Sequence, residues 1–170
     1  MASTLYEPIM DALLALLQDS CGSLFQTYSR RFVTWENLLQ QLTGDNAIKQ
    51  PALYLYSGPG FGGGTEQFIQ QGRTPAKRII TRTVVIYAQI PGGGLPGGID
   101  VSTPGDSPFY PLIEAVESAL DPPDSSILGT VTLGGLVTHC WIEGTGVIVP
   151  GDIDPNGQGM ATLPVSILIP

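Results

Sequence analysis

His139 is the single histidine of the chain, so a Ser-His-Asp or Cys-His nucleophilic system would have to run through it. It stands beside Cys140 in Leu136-Val137-Thr138-His139-Cys140-Trp141-Ile142, an alternating run that predicts a strand. Neighbours on a strand point to opposite faces, so His139 and Cys140 cannot act on one substrate atom. No Gly-x-Ser-x-Gly elbow supplies a nucleophile. Glu114 and Glu117 fall on one side of a helical segment, where carboxylates ordinarily form a solvated face. These residues predict structural roles for His139 and Cys140, no catalytic residues and no enzyme. A small hydrolase using His139 is the alternative from a different class.

Three further patterns resemble ligand sites. Gly58-Pro59-Gly60-Phe61-Gly62-Gly63 satisfies the dinucleotide fingerprint G-x-G-x-x-G and follows a predicted strand. A dinucleotide site needs a helix directly afterwards, and the next regular element predicted here is another strand. Asp152-Ile153-Asp154-Pro155-Asn156-Gly157 imitates the opening of an EF-hand loop, but its twelfth position is Leu163, not the bidentate glutamate. Cys21 and Cys140 have no metal-type spacing and are expected to be buried, reduced thiols. No cofactor and no metal are expected.

The charges are segregated. All seven basic residues lie at or before Arg82, and from Thr83 to Pro170 there are nine acidic residues and no Lys or Arg. Arg73, Lys77, Arg78 and Arg82 fall within ten positions, but with pI ≈ 4.3 the pattern does not suit nucleic-acid binding. It suits a protein contact in which the basic patch of one copy meets the acidic patch of the next. Only 13% of the residues are charged, against about 25% in a typical soluble domain. So lean a surface predicts extensive contact with protein partners. Phe61, the large apolar side chain amid the glycines and proline of Gly58–Gly64, is a candidate docking anchor beside these four cations.

The elements that must carry these residues are legible in the periodicity. Leu5, Ile9, Ala12, Leu13, Leu16 and Leu17 predict a helix, with Thr4 and Glu7 as a capping box, Pro8 in the first turn and Gly22 at the end. Leu24–Val33 is expected to be irregular or extended, and Thr34 or Trp35 to Leu42 to form one or two helical turns. Pro51–Tyr56 is a short strand, Ser57–Ala76 a long Gly-rich loop, and Arg78–Ile90 the central strand of the sheet. One face of that strand turns wholly apolar from Val84 and is expected to be buried, while the other faces solvent or a neighbour. Pro91–Ser107 is a second long loop. Ser107-Pro108 opens a helix carrying Leu112, Ile113, Val116, Ala119 and Leu120, stopped by Asp121-Pro122-Pro123. Strands over Gly135–Val149 and Gly159–Ile169 follow, joined through Asn156-Gly157, with Pro164 predicting an edge or bulge in the last. The fold class is α+β: one domain over residues 1–170, with a four-stranded, mainly antiparallel sheet and two helices on one face. The apolar run Ala12–Leu17 is too short for a membrane span, and the N-terminus lacks the basic region of a signal peptide.

Phe25-Gln-Thr-Tyr-Ser-Arg-Arg with Trp35, running into Gln50-Pro51-Ala52-Leu53-Tyr54, resembles the opening of tail terminator proteins from long-tailed bacteriophages. The element order continues the likeness: a long strand after a large hairpin loop, a Pro-initiated helix, and a C-terminal hairpin ending in Leu163-Pro164-Val165-Ser166-Ile167. The resemblance implies a virion structural protein, made in the host cytoplasm, that forms a ring of usually six subunits. Such a ring caps the tail tube at its final length and presents a docking surface to the head connector. Its partners would be further copies of itself, the tail tube protein and the head completion or connector protein. Genomic DNA would pass through the centre without sequence-specific binding, and no membrane is involved. A neck or head-tail completion protein of the same architecture is the alternative within this class.

Overall fold

The computed structural model describes residues 5–30, 49–57, 64, 66–69, 77–89, 109–120, 131–143, 147–149 and 158–170. The fold is α+β, with two helices and a mixed sheet among the described residues. In chain order the elements are α1 (Tyr6–Cys21), β1 (Thr27–Ser29), β2 (Ala52–Tyr56), β3 (Glu66–Ile69), β4 (Lys77–Gln89), α2 (Phe109–Leu120), β5 (His139–Ile142), β6 (Val147–Val149) and β7 (Gln158–Ile169).

Helix α1 forms where the apolar spacing predicts it. Ile9, Met10, Leu13, Leu17 and Cys21 make its buried stripe, Glu7 sits in the first turn where the helix dipole favours an acid, and Pro8 costs no helical hydrogen bond there. Leu5 occupies the N-cap position with no side-chain cap, while Thr4 lies outside the described residues. Gly22 ends the helix at φ 52, a conformation that favours glycine, and its N–H donates to the Gln18 carbonyl. In Leu24–Val33, expected to be irregular or extended, the described residues carry the end of a 3₁₀ turn (Gly22–Leu24) and then β1, and residues 31–33 lie outside the described residues.

Strand β4 is central, as its β-branched composition predicts. It pairs with β7 over twelve positions, from Arg78↔Ile169 to Gln89↔Gln158. On its other edge two short strands sit end to end: β2 pairs Ala52–Tyr56 with Tyr87–Thr83, and β3 pairs Glu66–Ile69 with Ile80–Lys77. The far edge of β7 is likewise shared, by β5 and β6. β1 runs parallel to β2 at the sheet margin. The expected four-stranded, mainly antiparallel sheet is therefore corrected to seven strand segments with one parallel pair. The four expected strands are present, but Gly135–Val149 is divided: Gly135 ends a 3₁₀ turn (Leu133–Gly135), and β5 and β6 follow as separate segments. The Ser57–Ala76 loop contains β3, four residues too short and too polar at Glu66-Gln67 to stand out by alternation.

The expectation of an edge or a bulge at Pro164 is corrected as to the edge; a bulge would involve residues 144–146, which lie outside the described residues. Pro164 lies within β7, between β4 and the β5/β6 edge, and not on a sheet margin. The reason is local. Glu143 N–H donates to the Pro164 carbonyl, so the Pro164 nitrogen faces the same side, where β5 has ended at Ile142↔Val165 and β6 has yet to start at Val147↔Thr162. A missing donor costs nothing at a break in the ladder.

Both helices cover one face of the sheet. Their buried residues share a core with Ile80, Val84, Ile86 and Ala88 of β4 and Ala161, Leu163, Val165, Ile167 and Ile169 of β7. Of the two expectations for the opposite face, solvent or a neighbour, solvent is not met: Thr83, Val85 and Tyr87 are wholly buried there, with Tyr54 and Met160 packed beside them.

Candidate partner-binding site

The break between β2 and β3 organises the most unusual polar cluster among the described residues. β2 stops at Tyr56↔Thr83, β3 starts at Glu66↔Ile80, and Gly64 N–H donates to the Thr81 carbonyl at 2.8 Å. Arg82 stands at this gap, on the helix-covered face with Ile80 and Val84. Its Nη1 donates to the Thr81 carbonyl at 2.9 Å, and its Nε is buried with no hydrogen-bond partner. Burial lowers the guanidinium's pKa, and among the described residues Tyr6 and Glu66 work against that.

Arg78 projects from the same face two β-repeats away, four residues along the strand. Its Nη1 donates to Tyr6 Oη at 3.1 Å and lies 3.6 Å from Glu66 Oε1, while Tyr6 Oη donates to that same oxygen at 2.9 Å. Among the described residues, Glu66 pairs with Arg78 and its charge also favours the charged form of Arg82. Such a centre can receive an acidic side chain with charge-assisted hydrogen bonds. Arg30 is the contrasting case: α1 offers it Glu7 at 2.7 Å and Asp11 at 2.6 Å, one helical turn apart.

Of the residues singled out by charge and composition, Arg78 and Arg82 come together here. Lys77 is exposed on the opposite face of β4, and Arg73 and Phe61 lie outside the described residues. Tyr6 and Glu66 were not foreseen as members. Tyr6 sits on α1 and Glu66 opens β3, 60 residues on, and nothing local in the sequence joins them.

The other chemical candidates take structural places. Cys140 is buried in the helix-face core, and Cys21 and Cys140 are both free thiols, as expected. Burial pushes the Cys140 thiol up to about 12 and also raises that of Cys21. His139 lies on the other face, its ring stacked on Trp141 at 5.3 Å, and its Nδ1 accepts from Val131 N–H at 3.2 Å. That bond assigns the ring's proton to Nε2 in the neutral form. Ser166 Oγ, two strand rows on, donates to Glu143 Oε2 at 2.6 Å and lies 3.5 Å from Thr81 Oγ1. The Gly58–Gly63 and Asp152–Gly157 patterns lie outside the described residues, but the element after the first is strand β3, which a dinucleotide fold does not allow. Among the described residues no group of three His, Cys, Asp or Glu side chains is placed to hold a metal ion, and no helix is long and apolar enough to cross a membrane.

Compared with known proteins, the chain matches no family model and no curated protein.

Proposed function

We propose that this chain is a structural virion protein of a long-tailed bacteriophage, a tail-terminator-like subunit that closes into a ring on the end of the tail tube. In this reading the ring, hexameric as in the family the sequence resembles, caps the tube at its final length and offers its other surface to the head connector. DNA crosses the central passage, where the acidic excess of the chain keeps phosphates from sticking. Arg73, Lys77, Arg78 and Arg82 serve contacts between copies or with the tube, and Phe61 serves docking.

The observation that carries this reading is the mismatch between charge supply and charge demand. Every cation lies in the first 82 residues, the remainder carries nine acids, and within one subunit the half-buried Arg82 still has an unmet donor. Contacts between unlike patches on successive copies are heterologous, and these close into rings when the rotation permits. The test is the mass of the purified protein by sedimentation velocity, alone and with tail tube protein. A closed oligomer that binds tube ends is expected, and a protein that stays monomeric in both mixtures would overturn the reading. The hydrolase alternative has its own test. His139→Ala is expected to leave assembly intact, and a turnover lost in that variant would reverse the assignment.

A further inference from the structure

We infer that Arg82 is the receptor for a carboxylate of a second copy of this chain, supplied from the Glu114–Glu117 side of helix α2. The inference rests on the ring reading and specifies its contact. Arg82 pairs with Val165 of β7, but on its other side it stands between the end of β2 and the start of β3, its Nε unpaired and the carboxylate of Glu66 already engaged by Arg78 and Tyr6. Turning the side chain outward to an external carboxylate ends both the orphaned donor and the desolvation of the charge.

Among the described residues, the donor follows from the remaining acids. Glu7 and Asp11 hold Arg30, Glu66 holds Arg78, and Glu143 accepts from Ser166. Glu114 is exposed and Glu117 half-exposed on α2, three residues apart and therefore on one side of the helix, and neither takes part in an ion pair among the described residues. Neither contributes to the field at Arg82 within its own subunit. A lone Asp19 near the end of α1 offers one charge where α2 offers two. Receptor and donor are thus different patches of one subunit, which makes the contact head-to-tail.

The experiment uses the full chain at low salt, with circular dichroism to verify that each variant folds. Arg82→Gln alone, and Glu114→Gln with Glu117→Gln, should each weaken self-association on the order of tenfold. Mixing the two variants should restore a heterologous pair, because each still carries the half that the other lacks. The charge swap, Arg82→Glu combined with Glu114→Arg and Glu117→Arg, should recover assembly that Arg82→Glu abolishes. Should Arg82→Glu fail to fold, the mixing experiment decides alone. Wild-type assembly with no loss in Arg82→Gln, or no complementation on mixing, would overturn this contact while leaving the ring intact. Monomeric wild type, alone and with tube protein, would remove the ring reading and this contact together. A nucleic-acid affinity lost in Arg82→Gln without any change in assembly would reassign the guanidinium to phosphate and overturn the inference.

Discussion

Along β4, Val84, Ile86 and Ala88 look into the helices while Thr83, Val85 and Tyr87 look the other way, and all six are buried. The two faces are nevertheless closed by different chemistry. Aliphatic side chains from five elements fill the helix face, where burial is non-directional and tolerant of small shifts. The second face carries Thr81, Thr83, Thr162 and Ser166 with the phenols of Tyr54 and Tyr87, whose rings meet edge-on at 5.6 Å. Hydroxyls there are directional and costly to leave unmade, as the Ser166–Glu143 bond illustrates. The difference teaches how register is fixed. A one-residue slip of β7 would put Thr162 and Ser166 among the helices and Leu163 and Val165 against hydroxyls.

Adjacent residues of β7 test this most sharply. Leu163→Ala, on the helix face, should cost ~2–5 kcal/mol in chemical denaturation, and Thr162→Ala, its neighbour on the other face, roughly 1 kcal/mol. Equal losses would break the comparison. Alkaline pH comes next. A buried Cys140 thiol raised from 9.0 to about 12 stays protonated in the folded chain while the unfolded chain ionises. Stability is therefore full below pH 9 and falls as pH rises from there towards 12. Tyr87, raised by burial on the second face, adds its loss only above its ordinary 10.0. Urea midpoints measured from pH 8 upward should decline less steeply in Cys140→Ala from about pH 9, and in Tyr87→Phe only at higher pH. Identical slopes in wild type and both variants would mean that neither group is held neutral by burial. The smallest effect belongs to Ser166→Ala, expected to cost about 0.5 kcal/mol by leaving Thr81 and the exposed Glu143 without their shared partner. An unchanged midpoint would show that water satisfies both groups equally well.

What was legible in the sequence divides along physical lines. Periodicity over ten or more residues gave α1, α2, β4 and β7, because each buries a continuous stripe that composition must encode. β3 escaped, β1 was read only as irregular or extended, and the division of Gly135–Val149 into β5 and β6 was not seen, because three or four residues hold too little pattern and their pairing is set by the strand beside them. The second face of β4 looked mixed, and Thr-Thr-Val-Tyr gives no sign that it will be covered. Pro164 is not at an edge, because local rules do not know that β5 ends and β6 begins on either side of it. In the candidate site, the charge imbalance singled out Arg78 and Arg82. Their company of Tyr6 and Glu66 depends on helix packing and strand pairing over 60 to 72 residues, which no window reveals.

The position of β7 also governs how the chain must fold. It is the shared partner of β4 on one side and of β5 and β6 on the other, and its ladder to β4 joins segments roughly 80 residues apart. Until residues 158–169 have left the ribosome, β5 and β6 have no strand to join and one long edge of β4 stands open. A nascent chain stalled before Gln158 would therefore display a β-branched edge of twelve residues to its neighbours, the kind of template on which strands from other chains assemble.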